Sequence, residues 1–192
     1  MTACPTLTTE RLLLRPMEEP DLGPYTDMLL APEVHRAFHL PETFSRADAW
    51  QGMAAWRGQW ELRGSGQWAL EERSGGRFVG RAGLHRPEWP DWPGLEVGWA
   101  LHPSWWGHGF ATEAGHRSIT YAFEVLDADE VFSVILPENR RSRAVAGRLG
   151  LSLIEERVLS SVPGSPHGIW RLGRDEWETT PRPVSAGGGR RL

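Results

Sequence analysis

The period of hydrophobic and polar positions changes several times along the chain, and each change marks an element. Thr9 to Arg15 (TERLLLR) predicts a first strand, closed by Pro16, which cannot extend a ladder. A short helix is expected after Glu18–Asp21, running through Tyr25 and Leu29 towards Pro32. Ser45 offers a helix cap with Asp48 three residues on. Trp50, Met53, Ala54 and Trp60 follow at helical spacing as an apolar stripe, ended by Gly64 and Gly66.

The next stretch reads as strands. Trp68–Glu72 and Arg77–Leu84 flank the turn Ser74-Gly75-Gly76, a hairpin signal. After a loop rich in Pro and Trp (RPEWPDWPG), Leu95–Leu101 alternates as another strand. Gly107-His108-Gly109 introduces an amphipathic helix from about Thr112 to Val125, with Ala114, Ser118, Ala122 and Val125 on one face. Asp129–Leu136 predicts a strand and Arg140–Leu149 a helix stopped by Gly150. Leu151–Leu159 and Ile169–Leu172 supply the last two strands. Antiparallel strands followed by strand–helix–strand–helix–strands predict an α+β fold with one partly parallel sheet. No internal repeat is visible. Residues 1–180 read as one domain and 181–192 (PRPVSAGGGRRL) as a loose, flexible tail.

Composition narrows the classes. A length of 192 residues suits one domain, and 40% apolar content with 11 Trp is enough for a core. No apolar run approaches the roughly 18–20 residues of a spanning helix, and the first residues lack the basic-then-apolar pattern of a leader. The expectation is a cytoplasmic protein with no membrane partner. Cys4, the one cysteine, can form neither an internal disulfide nor a cysteine metal cage. A net charge of −4 argues against nucleic acid as a partner. All 21 basic residues are Arg, which excludes a Schiff-base or phosphate-loop lysine and makes any Arg cluster less informative.

The stretch Leu95–Thr112 (LEVGWALHPSWWGHGFAT) carries the most chemistry. A strand runs into a glycine-bearing loop that opens a helix, whose first turn exposes unpaired N–H groups and the positive end of a dipole. The amides of Gly107–Ala111 can therefore form an anion cradle, although a plain tight turn and cap would have the same pattern. A dinucleotide fingerprint would need glycine at Thr112 and a place early in a βαβ series. A nicotinamide-dependent oxidoreductase is disfavoured on both counts. Among the seven His, no pair forms an H-E-x-x-H motif, so no metal is expected. His85 and His102 border strands near the presumed cleft as candidate proton relays; His108 lies in the glycine loop facing solvent and His116 on the following helix.

Four segments, in order, carry a likeness: LTTERLLLRP (Leu7–Pro16), LEVGWALHPSWWGHGFATEA (Leu95–Ala114), PENRRSRAVAGRLGL (Pro137–Leu151) and IWRLGRDEW (Ile169–Trp177). Together they resemble the GNAT-type N-acetyltransferases, in the group of ribosomal-protein N-terminal acetyltransferases (RimJ/RimL type). The family's R/Q-x-x-G-x-G/A signature falls on Trp106–Ala111, with Trp106 in place of Arg or Gln. The resemblance implies a GNAT-like single domain: a mixed, mostly antiparallel sheet with a splayed parallel strand pair, flanked by helices. It implies acetyl-CoA as donor, wedged between the strands Leu95–Leu101 and Asp129–Leu136. The pantetheine arm would pair with Trp99, Ala100 and Leu101. The diphosphate would sit on Gly107, His108, Gly109, Phe110 and Ala111, with Trp106 and Thr112 also among the cofactor-binding residues. Asn139 and Ser142 would lie at the arm and thiol; ordinary helix capping is the other reading of this pair. Arg140, Arg141, Arg143 and Arg148 make the same helix basic, either for phosphate attraction or as a solvated face.

The implied reaction moves the acetyl group of acetyl-CoA directly to a primary amine, either a protein N-terminus or a small-molecule amine. The alternative is a non-catalytic acyl-CoA-binding module of the same fold. The amine must lose a proton, the oxyanion needs N–H donors, and the leaving thiolate needs a proton or a contact. Glu96, on the donor strand with Gly98 and Ala100 on its face, is the first candidate base, acting through water. A solvent-facing structural Glu is the other reading. Ser142 is the candidate to hydrogen-bond the thiolate. Where relatives carry a tyrosine acid, Trp170 stands in the late strand. Cys4 is a bystander. Trp50, Trp56 and Trp60 border the acceptor side, while Trp89 and Trp92 are candidates to wall its pocket or hold an amine by cation–π attraction. Trp105 and Trp106 pack the loop. So many Trp also leave apolar surface for a homodimer.

Overall fold

The computed structural model describes residues 4–160 and 162–179; the expected tail at 181–192 lies outside the described residues. Eight strands form one sheet in the order β1-β2-β3-β4-β5-β6-β8-β7. They are β1 (Leu7–Thr8), β2 (Leu12–Arg15), β3 (Gln67–Glu72), β4 (Arg77–His85), β5 (Glu96–Leu101), β6 (Glu130–Ile135), β7 (Ser152–Leu159) and β8 (Val162–Gly173). Every pairing is antiparallel except β5–β6. The helices are α1 (Leu22–Leu30), α2 (Pro32–Ala37), α3 (Arg46–Arg63), α4 (Phe110–Glu124), α5 (Arg140–Arg148) and α6 (Arg174–Thr179). This is the α+β architecture that the order of elements predicts.

The pleat assigns the two faces. On β3, Trp68 and Leu70 belong to one core and Ala69 to the other. The larger core sets Leu12, Leu14, Ala82, Leu84 and Val97 against Phe110, Ala114, Ile119 and Ala122 of α4. Trp60, Trp68 and Tyr121 meet there, with ring centroids 4.6–5.9 Å apart. The second core packs Tyr25 and Met28 of α1, Val34 of α2, and Ala49 and Met53 of α3 over Ala69 and Ala100. One face of β4 and β5 therefore lies under α1–α3 and the other under α4.

Several elements differ from the sequence pattern. The first strand is two short strands: Leu7 pairs with Leu14 and Thr8 with Leu13 across a turn at Thr9–Arg11. Thr9 ties that turn, its hydroxyl donating to Glu113 Oε1 at 2.6 Å and accepting from Leu12 N at 3.0 Å. Helix α3 starts at the Ser45–Asp48 capping box and ends at Gly64, φ 66°, as expected. Its buried positions, however, are Ala49, Met53 and Trp60, while Trp50 is 51% exposed. One residue advances the helix by about 100°, enough to move Trp50 off the stripe. Helix α4 begins two residues before the expected Thr112, and Val125 lies beyond its last turn, exposed. Helices α2 and α6, six residues each, are too short to show a period.

Candidate active site

The parallel pair β5–β6 is in register at a single position, Glu96 opposite Phe132. Phe132 N–H donates to Leu95 O at 2.9 Å, and beyond it the strands part. At the break the Glu96 carboxylate takes over: Val134 N–H donates to Oε1 at 3.4 Å, and His85 Nδ1 lies 3.2 Å from Oε2. A cleft of about 940 Å³ opens through the gap. All the residues expected to hold a donor line it except His108, and Glu96 and Ser142 line it too.

One wall is the glycine loop. Gly107 and Gly109 both sit at φ 81°, where a side chain is strained, and a Cβ on Gly107 would meet nothing within 4 Å. Helix α4 has no side-chain cap at its start, and its first internal bond runs from Glu113 N to Gly109 O. The main-chain N–H groups of residues 107–112 thus have no acceptor among the described residues. Unpaired amides in such a run, at the positive end of a 15-residue helix, favour an anion. Arg11 and Glu113 brace the loop from outside: the Glu113 carboxylate holds Arg11 at 2.6 Å, and Arg11 Nη1 donates to His108 O at 2.8 Å. Burial would raise the Glu113 pKa, but hydrogen bonds from the Thr9 hydroxyl and Arg11 outweigh it and lower it.

Helix α5 forms the opposite wall. Asn139 caps it, its Oδ1 accepting from Ser142 N at 3.1 Å, so the capping reading holds for this side chain while it also lines the cleft. Arg141 and Arg148 reach the cleft; Arg140 and Arg143 do not. The Arg141 guanidinium lies 4.4 Å from the Trp106 ring, and Arg148 Nε donates to Thr112 Oγ1 at 3.1 Å. Trp106 itself donates to Leu101 O at 3.0 Å, which occupies one of the main-chain groups expected to face the donor.

The far end of the cleft is aromatic. Trp56 meets His85 edge-on at 5.0 Å, and Trp89 and Trp92 lie 6.3 Å and 6.1 Å from the same imidazole. Trp50 and Trp60 do not reach this end: Trp50 stands over a shallow groove beside Met17, and Trp60 is buried in the larger core. Asp91 fixes the loop carrying Trp89 and Trp92, accepting from Ser160 N at 2.6 Å and Ser160 Oγ at 2.8 Å. These bonds, the backbone one first, lower the Asp91 pKa. Trp170, His102 and His116 lie outside the cleft; His102 caps the turn at Pro103–Trp105, and His116 packs on Trp177. Both tyrosines, Tyr25 and Tyr121, are buried away from it. Burial pushes the Cys4 thiol up to about 12, which removes it as a nucleophile. Arg81 and His167, buried residues lining the cleft, had no sequence signal: Arg81 is an isolated polar residue in a strand pattern, and His167 lies in the Pro/Gly/Ser stretch between the last two predicted strands.

Among the described residues no helix is long and apolar enough to cross a membrane. A family model for the acetyltransferase (GNAT) domain matches residues 11–152. The uncharacterized N-acetyltransferase YoaA of Bacillus subtilis is 24% identical over 146 residues, 76% of this chain and 82% of its own length. An acetyltransferase structure from Agrobacterium tumefaciens superposes with a TM-score of 0.75 at 29% identity, covering 88% of this chain and 95% of that one. The ribosomal-protein-S5-alanine acetyltransferase of Vibrio fischeri shares the fold, with a TM-score of 0.70 at 16% identity over 90% of this chain and 98% of that one.

Proposed function

We propose, for a chain that belongs to the GNAT acetyltransferase family, that the cleft transfers the acetyl group of acetyl-CoA directly to a primary amine. The observation that carries this reading is the run of unpartnered amides at residues 107–112, at the mouth of the gap between β5 and β6. The residues present fit a coenzyme A thioester. A diphosphate needs converging N–H donors and cations, which the loop, Arg141 and Arg148 offer. An amide-bearing arm needs an open strand edge, which β5 offers beyond Glu96.

Acetyl-CoA supplies the activated acyl carbon and a thiolate leaving group. Main-chain groups of Trp99, which face the gap as those of Leu95 do, orient the arm and present an N–H to the negative charge that develops on the acyl oxygen. Glu96, hydrogen-bonded to His85, takes the amine's proton through water. The carbon–nitrogen bond forms, the carbon–sulfur bond breaks, and the Ser142 hydroxyl hydrogen-bonds the departing sulfur. A hydroxyl is too weak an acid to do more at neutral pH. The acceptor is a protein N-terminus or a small-molecule amine, admitted at the end walled by Trp56, Trp89 and Trp92.

Purified protein with acetyl-CoA and a panel of amines tests the transfer. Thiol release that depends on the acceptor is the expected result. Tight donor binding with no release from any amine would instead make the chain a binding module.

A further inference from the structure

The choice of amine is open on the reading above, on which this inference rests, and one buried side chain narrows it. Arg81 of β4 lines the cleft and is 8% exposed. Its Nη1 donates to Gln67 Oε1 at 2.9 Å, its Nε has no acceptor, and no carboxylate among the described residues forms an ion pair with it. By contrast Arg15, also largely buried, is held by both Asp21 and Glu71. The Arg81 guanidinium faces π surfaces instead, 4.9 Å from the Trp56 ring and 5.3 Å from that of Phe38. A guanidinium stays charged, and a buried charge without a counter-ion is costly. An anion delivered by a ligand would relieve that cost.

The register of β4 on β5 shows where that anion would lie. His85 stands opposite Glu96, Gly83 opposite Gly98, and Arg81 opposite Ala100. Directly opposed residues share a face, so the proton-accepting pair and the buried cation lie on one side of the sheet with a glycine pair between them. Gly98 of that middle pair lines the cleft and leaves its floor bare; a Cβ there would meet only Gln67 Nε2, at 3.6 Å. Trp56 touches both ends, edge-on to His85 and beneath Arg81. The His85 ring and the Arg81 guanidinium lie 5.0 Å and 4.9 Å from the same Trp56 ring, so one small molecule beside that ring can meet both.

We infer that the acceptor is a small amine carrying a carboxylate, an α-amino acid or a close derivative, and that Arg81 is the specificity-determining residue that binds this carboxylate. The planar fork of the guanidinium matches a carboxylate in a way an ammonium does not. Anchored there, the amine lies towards Glu96 and His85. A peptide N-terminus has an uncharged amide where the carboxylate would be and leaves Arg81 uncompensated.

The test pairs the α-amino acids with their matched carboxamides, on wild type and Arg81→Gln. Calorimetric binding in the presence of coenzyme A and thiol release from acetyl-CoA are measured side by side. For at least one pair, wild type should favour the free acid by roughly 10- to 100-fold in both, the usual weight of a buried polar group left unpaired. The gap should close in Arg81→Gln, with the coenzyme A Kd unchanged. Arg81→Lys should recover only part of it, because it keeps the charge without the fork. Equal binding of acids and carboxamides, or no binding of any acid, overturns the inference, and this comparison needs only wild type if Arg81→Gln fails to fold. Release with peptides and carboxamides but not with acids also overturns it, while leaving acetyl transfer standing. Acid binding without release from any amine does the reverse: the carboxylate site stands and the transfer falls.

Discussion

A carboxylate placed where a parallel ladder breaks can act as a structural plug or as a proton acceptor, and Glu96 has the contacts for both. Its Oε1 takes the Val134 amide, while its Oε2 faces His85 on the cleft side. The two roles separate in Glu96→Gln, which is nearly isosteric and still accepts from Val134. If Glu96 is the base, turnover should fall by roughly 100-fold or more with the coenzyme A Kd unchanged, as read by steady-state kinetics beside calorimetry. A variant with normal rates at neutral pH would leave Glu96 only the structural role. At this scale the sequence is informative where local chemistry decides. Gly107 and Gly109 mark the cradle because only glycine rests easily at φ 81°. Arg81 carries no such mark. In a chain whose basic residues are all Arg, one more in a strand looks ordinary, and its burial is created by Trp56 and Phe38 arriving from other elements. Trp56 reaches the cleft and Trp50 does not, a difference set by a helix phase that sequence spacing fixes only approximately.

Among elements, the loop between β4 and β5 matters most for the acceptor on the proposed function. It carries Trp89 and Trp92, and it is tied to the β7–β8 hairpin by Asp91, which takes both bonds from Ser160, and by Arg157, whose Nη2 donates to Asp91 O at 2.9 Å. Because folding lowers the Asp91 pKa from its ordinary 3.8, its contribution is complete above that pH and is lost as the pH falls through the depressed value. Protection of residues 86–94 against hydrogen exchange, relative to the intrinsic rate at each pH, should therefore fall in wild type only in that acid range. In Asp91→Ala exchange should be fast at neutral pH. The same variant should raise the acceptor KM by several-fold, on the order of 3–10 as for one lost charge-assisted bond, with donor binding unchanged. A loop that exchanges identically in both proteins would mean that Asp91 does not hold it. The loop itself was legible from its Pro and Trp content. Its anchor was not, because Asp91 and Ser160 are 69 residues apart and no local pattern links them. Helices α2 and α6 escaped for a different reason: six residues complete too few turns to display a period.

For the whole molecule, the order of antiparallel strands, then a strand, a helix and another strand, was enough to predict one mixed sheet. A helical crossover such as α4 returns the chain parallel to the strand it left, and β6 indeed lies parallel to β5. The insertion of β8 between β6 and β7 was not legible, since it depends on which edge the final hairpin finds. Nor was the depth of the gap, which follows from β5 and β6 sharing one register position before parting. The account rests on that gap and on the amides at its mouth. Titrating 15N-labelled protein with coenzyme A tests it most directly, by following backbone amide shifts along the assigned chain. Large, saturable shifts at residues 107–112, along the free edge of β5 and at the start of α5 are expected. Saturable binding that leaves those amides still while another surface responds would contradict it.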